Sequence, residues 1–197
     1  MTIPADLEIH TALQDGTPVC IRQVRESDAA AMRAGIAKMS PRSRYLRFFS
    51  GATNVPEWVI ERLVSGDGAH HLAWGAIAVD AAGEPAIGVV HAFRDADDPD
   101  SAEFSVGVLD EYHGLGLGKL LVATILLAAR AEGLDQFTAE TLAENGSAVS
   151  FVRSLGGELI ASGGATRSWQ LDVDRAIAVL RGECDPPGMA QVFEKLG

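Results

Sequence analysis

A glycine-rich turn is the segment of this sequence whose residues most clearly indicate a chemical role. Residues 113–119 read His-Gly-Leu-Gly-Leu-Gly-Lys and stand between a strand-like run and a long helical pattern. Glycine lets a backbone approach a ligand closely and adopt positive φ. The unpaired N–H groups at the start of a helix carry partial positive charge. Together these features predict a pocket for an anion such as phosphate, with a tight turn that binds nothing as the alternative.

Two common nucleotide-binding motifs do not fit this turn. A Walker loop needs glycine, four residues and then Gly-Lys-Ser/Thr, but His113 stands at the first glycine position and Leu120 follows Lys119. A dinucleotide-binding GxGxxG loop needs its third glycine where Lys119 stands. The spacing therefore excludes both nucleotide readings.

The elements around the turn predict an α+β domain with a mixed, mainly antiparallel sheet of about seven strands and flanking helices. Short turn-forming segments join three central strand-like runs, which is typical of an antiparallel meander. The predicted strands cover residues 19–24, 71–79, 86–93, 103–108, 137–142, 159–162 and 168–173. The predicted helices cover residues 27–38, 41–49, 56–66, 119–132, 148–155 and 174–181.

The length of 197 residues suits one globular domain, predicted over residues 1–182, followed by a C-terminal tail over residues 183–197. The net charge of −11 argues against nucleic acid as a partner, because phosphate neutralisation needs clustered basic side chains. The apolar run Leu120–Ala129 is too short to span a membrane. Cys20 and Cys184 lie far apart without a CxxC motif, so we expect a reducing, cytoplasmic environment.

Two motifs resemble those of the GNAT acyltransferases, the Gcn5-related N-acetyltransferase superfamily. The segment 113–118 is similar to the family's pyrophosphate loop, Gln/Arg-x-x-Gly-x-Gly/Ala. The segment 145–156, Asn-Gly-Ser-Ala-Val-Ser-Phe-Val-Arg-Ser-Leu-Gly, resembles the family helix with an asparagine and Lys/Arg-x-Leu-Gly. The segments 22–28 and 39–49 resemble the catalytic domains of bacterial Pat-type protein lysine acetyltransferases. The order of elements is similar from about residue 19 to residue 173.

This resemblance implies how acetyl-CoA would bind. In such enzymes the pantetheine arm lies between two splayed strands like an added strand. One N–H of the segment 106–108 would face the thioester oxygen, and the glycine loop would hold the pyrophosphate. Asn145 would contact the pantetheine, cap the next helix, or do both. The implied coenzyme-binding residues are Val106, Gly107, Val108, His113, Gly114, Leu115, Gly116, Leu117, Gly118, Lys119 and Asn145. Because His113 replaces the usual Gln or Arg, a contact from its side chain is not implied.

The resemblance also implies a general base at Glu103. A lysine amine is neutral in only about one part in a thousand at pH 7.4, so a base is needed to take its proton. Partial burial would make this carboxylate a stronger base, and a solvated strand-end glutamate is the alternative. Glu111 fits the role less well because it should point away from the acyl group. Val152 stands where many relatives have an acid tyrosine, so water would protonate the leaving thiolate.

The implied function is transfer of an acetyl group from acetyl-CoA to a primary amine, and a protein lysine is the acceptor that the resemblance favours. A small-molecule amine acceptor and a non-catalytic acyl-CoA-binding regulatory module are the alternatives. No metal is expected, because His70 and His71 are interpreted as structural residues. The sequence leaves open whether the chain forms a homodimer.

A set of arginines and a set of aspartates each allow two interpretations. Arg42, Arg44 and Arg47 either touch the coenzyme or substrate, or form a charged helix face, which is the simpler interpretation. The aspartates either attract a basic acceptor or form a solvated hairpin turn, which we favour; they are Asp95, Asp97, Asp98 and Asp100.

Overall fold

The computed structural model describes residues 3–50, 52, 55–183 and 185–197. Cys184, one of the two cysteines on which the expected reducing environment rests, lies outside the described residues. Cys20 is buried and has a free thiol.

The described residues form one sheet of eight strands, one more than the sequence predicts. The strand order is β1-β2-β3-β4-β5-β6-β8-β7, and every neighbouring pair is antiparallel except β5 and β6. The meander predicted over β3, β4 and β5 is present. The strands are β1 Glu8–Ala12, β2 Pro18–Gln23, β3 His71–Ala78, β4 Ala86–Arg94, β5 Ser101–Val108, β6 Gln136–Leu142, β7 Glu158–Gly163 and β8 Thr166–Asp172.

Seven α-helices flank the sheet in the described part of the chain. They are α1 Ala29–Lys38, α2 Pro41–Phe48, α3 Glu57–Val64, α4 Leu117–Ala131, α5 Gly146–Ser154, α6 Val173–Glu183 and α7 Met189–Leu196. The predicted start of α2 is present: the Ser40 hydroxyl accepts a hydrogen bond from the Ser43 N–H, and Pro41 is the first helical residue.

Two hydrophobic cores lie on opposite faces of the sheet. The larger core packs α4, α5, α6 and α7 against one face. The smaller core includes Met32 of α1 and Leu63 of α3 on the other face, which we call the α1–α3 face. Every residue from Leu120 to Ala129 is buried, because the sheet covers α4 from one side and α6 and α7 cover it from another. The apolar run noted in the sequence is thus a core helix.

Two elements are absent from the sequence-based assignment. β1 pairs with β2 at the edge of the sheet. α7 lies in the segment predicted only as a tail, and it packs on both α4 and β1. Its Met189, Val192 and Leu196 are buried in the larger core. The residues after 183 therefore contribute to the packing of the domain.

No helix among the described residues combines the length and the apolar character needed to cross a bilayer.

Candidate functional site

The glycine turn opens directly into α4, as the sequence predicts. Gly114 and Gly116 have φ values of 75° and 84°, in the left-handed region that glycine adopts without steric cost. Gly116 is the N-cap residue of α4 and has no side chain with which to cap the helix. The first turn of α4 therefore presents bare main-chain N–H groups.

The main-chain N–H groups of residues 114–119 make no hydrogen bond of standard distance and angle to an acceptor in the described part of the chain. By contrast, the flanking His113 N–H donates to the Asp110 carbonyl at 3.1 Å, and the Leu120 N–H donates to the Gly116 carbonyl at 3.1 Å. Six successive unpaired donors at the positive end of a fifteen-residue helix favour a bound anion.

Three contacts from distant parts of the chain support this loop. The Gln14 N–H donates to the Leu115 carbonyl at 3.0 Å. Pro186 packs against Gly116. Lys119 Nζ lies 2.6 Å from Glu183 Oε2. The ammonium of Lys119, one of the predicted coenzyme contacts, therefore already has an acidic partner.

His113 ties the loop to the preceding strand. Its Nε2 lies 3.0 Å from the carbonyl oxygen of Val108, a contact in which the ring N–H donates. The imidazole is exposed, but its bonded nitrogen is directed at β5. This arrangement agrees with the expectation that the main chain of the loop, rather than this side chain, offers the anion contacts.

β5 and β6 separate next to the loop. Their parallel ladder comprises three pairs, from Ser101 with Gln136 to Glu103 with Thr138. Residues 104–108 continue β5 beyond this ladder and remain paired with β4. One side of this half of β5 is therefore open, which is the strand gap that the family resemblance implies.

Val106 and Val108 direct their main-chain groups into the gap. The Leu109 N–H donates to the Ile87 carbonyl, which is on the β4 side. Because successive residues in an extended strand point their N–H groups to opposite sides, Val108 and Val106 point away from β4, and Gly107 points toward it. The Val108 carbonyl confirms this direction, since it meets His113 rather than β4.

Glu103 lies at the point where β5 and β6 separate. Its side chain is exposed, so the partial burial expected from the sequence is wrong. Alternation along β5 places Glu103, Ser105 and Gly107 on the same side of the strand, the α1–α3 face. Glu111 is also exposed and belongs to the turn before the glycine loop.

Arg47 is the site residue that sequence reasoning undervalued. The guanidinium donates from Nη2 to Ser105 Oγ at 2.9 Å, and Nε lies 3.6 Å from where a side chain of Gly107 would begin. Arg47 forms no ion pair with a carboxylate among the described residues. Desolvation lowers the pKa of Arg47 to about 10, although the negative charge of Glu103 acts to raise it. The side chain is therefore not part of a solvated helix face.

The other two arginines of α2 fit the simpler interpretation. Arg42 is exposed and lies 3.1 Å from Glu144, and Arg44 donates to the Met39 carbonyl at 3.4 Å. The aspartates of the 95–100 turn are exposed as well, as expected for a solvated hairpin.

Asp110 connects the start of α2 to the turn before the glycine loop. Its carboxylate accepts hydrogen bonds from the Ser40 N–H at 3.0 Å, the Ser40 hydroxyl at 2.8 Å and the Ser43 hydroxyl at 2.6 Å. Burial by itself would raise the pKa of Asp110, but these hydrogen bonds have the larger combined effect and lower the pKa to about 2. The helix that carries Arg47 is thereby fixed relative to β5.

A cleft of about 280 Å³ lies on the α1–α3 face beside Gly107. Arg47 and Val108 form part of its wall. The remaining wall is mostly apolar and includes Met32, Ile36, Met39, Phe48 and Leu63. The cleft can therefore receive the largely apolar part of a small molecule next to the exposed half of β5.

A buried histidine pair lies beneath the same face. His71 Nε2 and His91 Nδ1 are 3.0 Å apart, and His91 is fully buried. Burial lowers the pKa of both histidines, and the positive charge of Arg47 lowers that of His91 further. The pair is therefore neutral at pH 7. The sequence could not reveal it, because the two residues meet only through the pairing of β3 with β4.

Asn145 caps α5: its side-chain oxygen accepts a hydrogen bond from the Ala148 N–H at 3.2 Å. This is one of the two roles considered from the sequence, and it leaves the side-chain amide N–H₂ available to a ligand.

Known proteins resemble this chain in sequence and in fold. Residues 43–175 match the family described as "Acetyltransferase (GNAT) family". Acetyltransferase PA5475 of Pseudomonas aeruginosa is 27% identical over 134 residues, which are 68% of this chain and 72% of that protein. Acetyltransferase Pat of Mycolicibacterium smegmatis is 27% identical over 125 residues, 64% of this chain but only 37% of that protein. The structure of the GNAT domain of S. lividans PAT has a TM-score of 0.78 at 24% identity, covering 87% of this chain and 99% of that chain.

Proposed function

This chain belongs to the GNAT acetyltransferase family, and from that membership we propose that it transfers an acetyl group from acetyl-CoA to a primary amine, with a protein lysine as the first acceptor to test. One observation carries the proposal. The unpaired N–H groups of residues 114–119 lie beside a strand whose free edge begins after Glu103. A pyrophosphate on the loop and a pantetheine along the edge would use both sets of donors.

The open edge of β5 would position the thioester. A Val106 or Val108 N–H that points into the gap can donate to the thioester oxygen and stabilise the negative charge that develops during attack. The pantetheine amides would pair with the same edge as an added strand would. His113, Gly114, Leu115, Gly116, Leu117, Gly118 and Lys119 would surround the pyrophosphate, and Asn145 would contact the pantetheine.

Glu103 would act as the general base. Its exposed carboxylate can take a proton from an incoming ammonium, directly or through water, and release it to solvent. The neutral amine then attacks the thioester carbon. The new C–N bond forms, the C–S bond breaks, and the nitrogen releases its second proton to water. The coenzyme leaves as a thiolate that takes a proton from water. The amide product carries no charge at the former amine.

The exposure of the site supports a protein lysine as acceptor. Glu103, where the strand gap begins, and the aspartates of the 95–100 turn before β5 are exposed, so a long flexible side chain can reach the base. These carboxylates would also attract a cationic side chain. The net charge of −11 would also attract a cationic acceptor. A reducing, cytoplasmic environment, which the free thiol of Cys20 suits, is part of the same proposal.

A small-molecule amine is the second candidate, and the apolar cleft favours it. The volume of about 280 Å³ suits a small ligand whose amine reaches β5 from the side of Gly107.

Labelled acetyl-CoA, incubated with the purified protein and a soluble proteome or an amine library, tests the proposal. We expect labelled lysines, or labelled amines if the second candidate holds. Glu103→Gln should lower turnover about 10²–10⁴-fold while acetyl-CoA binding is kept. Glu111→Gln is the matched control and should leave turnover unchanged. Binding of acetyl-CoA without transfer to any amine would instead favour a regulatory module.

A further inference from the structure

Three metal-ligating side chains meet on the edge hairpin formed by β1 and β2. Glu8 and His10 lie two residues apart on β1 and so project from the same side of the strand. Cys20 of β2 is paired directly with His10 across the ladder. Two ligands at i and i+2 with a third on the neighbouring strand form a triangle whose spacing the sheet itself fixes.

The ligand atoms are already close together. One donor atom from each of Glu8, His10 and Cys20 lies within 4.8 Å of the other two. Glu8 Oε2 and His10 Nε2 are 3.4 Å apart. Zinc bond lengths of 2.0–2.3 Å in a tetrahedron place donors about 3.3–3.8 Å apart. Closing the triangle therefore requires side-chain adjustments of about 1 Å, which the exposed Glu8 and His10 allow.

The donor set selects the type of metal. A thiolate, an imidazole and a carboxylate suit zinc, whereas magnesium and calcium take oxygen ligands. The nearby charges also suit a cation. Arg22, which is paired with Glu8 in the ladder, is engaged by Asp28 through two hydrogen bonds of 2.8 Å. Its positive charge is therefore largely neutralised.

We propose that Glu8, His10 and Cys20 form a mononuclear zinc site with a water molecule as the fourth ligand. The Cys20 thiol releases its proton to solvent when zinc binds, and no bond to carbon is made or broken. The ion would fasten the edge strand β1 to β2. This site is independent of the proposed acetyl transfer, because none of its ligands lies on β5, the glycine loop or α5.

Zinc titration of the chelator-treated, dialysed protein tests the site. We expect one zinc ion per chain by calorimetry, no comparable binding of magnesium, and proton release. At free zinc one hundredfold above the dissociation constant, Tm should rise by about 5–10 °C. Cobalt in place of zinc should give a thiolate charge-transfer absorption band.

Matched variants separate this site from other zinc-binding groups. His10→Gln changes an exposed side chain and should abolish both the Tm rise and the cobalt thiolate band. Cys20→Ser should abolish the thiolate band. His70→Gln replaces an exposed histidine outside the site and should change neither signal. Zinc binding that His10→Gln and Cys20→Ser leave intact, or the absence of stoichiometric zinc binding, would overturn the proposal.

Discussion

Pro186 packs on Gly116 at the point where a side chain of residue 116 would project. A Cβ on Gly116 would lie 2.7 Å from both Cβ and Cγ of Pro186, and the φ of Gly116 is 84°. Gly116→Ala therefore combines a steric clash with an unfavourable backbone conformation. We expect it to lower the free energy of unfolding by about 1–3 kcal/mol, measured by urea denaturation.

Gly118→Ala is the matched control for this variant. Gly118 lies in the first turn of α4, and nothing stands within 4 Å of where its Cβ would be. Alanine also has a higher helix propensity than glycine. We expect the free energy of unfolding to stay equal or to rise by up to about 1 kcal/mol. Equal destabilisation by the two alanine variants would contradict the role assigned to Pro186.

Gly118→Glu tests the anion pocket without the steric conflict present at residue 116. The carboxylate would project into open space at the positive end of α4, where it is favourable for the helix but repels a pyrophosphate. We expect affinity for acetyl-CoA to fall at least about a hundredfold by calorimetry, since each 1.4 kcal/mol is tenfold. The unfolding midpoint should not decrease. Retained affinity would show that the coenzyme does not use this loop.

Arg47→Gln tests the guanidinium beside Gly107. A hydrogen bond from a charged donor contributes about 1.5–3 kcal/mol, so we expect the loss of this donor from the wall of the cleft to lower kcat/KM for acetyl transfer at least about tenfold. The dissociation constant of acetyl-CoA should change less than about twofold, because Arg47 lies outside the phosphate loop. Arg42→Gln on the same helix serves as control, since Arg42 is exposed. An equal loss in both variants would indicate a general charge effect of α2.

The buried pair of His71 and His91 predicts a loss of stability between pH 7 and pH 5. The pKa of each histidine is lowered in the folded protein, chiefly by burial, from an ordinary value of 6.5. Below that value the unfolded chain binds protons that the folded chain does not, so the free energy of unfolding falls as pH falls. Nearby Asp67 weakens the effect on His71, whereas Arg62 adds to it. Denaturation curves at several pH values measure it.

The double variant His71→Gln/His91→Gln should remove this pH dependence, whatever its stability at pH 7. His70→Gln changes an exposed neighbour and should keep it. Asp110 also has a lowered pKa, of about 2, but the stability it contributes is lost progressively only below about pH 5. An unchanged slope between pH 7 and pH 5 in the double variant would assign the effect to other groups.

Most of the fold could be predicted from local patterns. The meander and the helix after the glycine turn depend on short turns, alternating apolar residues and glycine, all of which act over a few residues. β1 and α7 could not be predicted in this way. Glu8–Ala12 is short and owes its strand conformation to pairing with β2. Met189–Leu196 follows a proline-rich turn and is stabilised by packing on α4 and β1.

The candidate site likewise contains some features that local sequence patterns predict and others that they do not. The phosphate loop is contiguous, so its glycines could be interpreted directly. The contact of Arg47 with Ser105 and the pairing of His71 with His91 join residues that are far apart in the chain. The exposure of Glu103 depends on where β6 separates from β5, which a single strand does not encode. Long-range pairing determines these features.

The support of the glycine loop by Glu183 and Pro186 has a consequence for how fragments of this protein should be cut. The family match ends at residue 175, and a truncation placed there would retain the whole loop yet discard both residues that brace it, together with α7. A nascent chain passes through the same state during synthesis, because residue 186 emerges well after residue 116. The loop would therefore be able to bind a ligand only after the segment from Glu183 to Leu196 has packed onto α4 and β1.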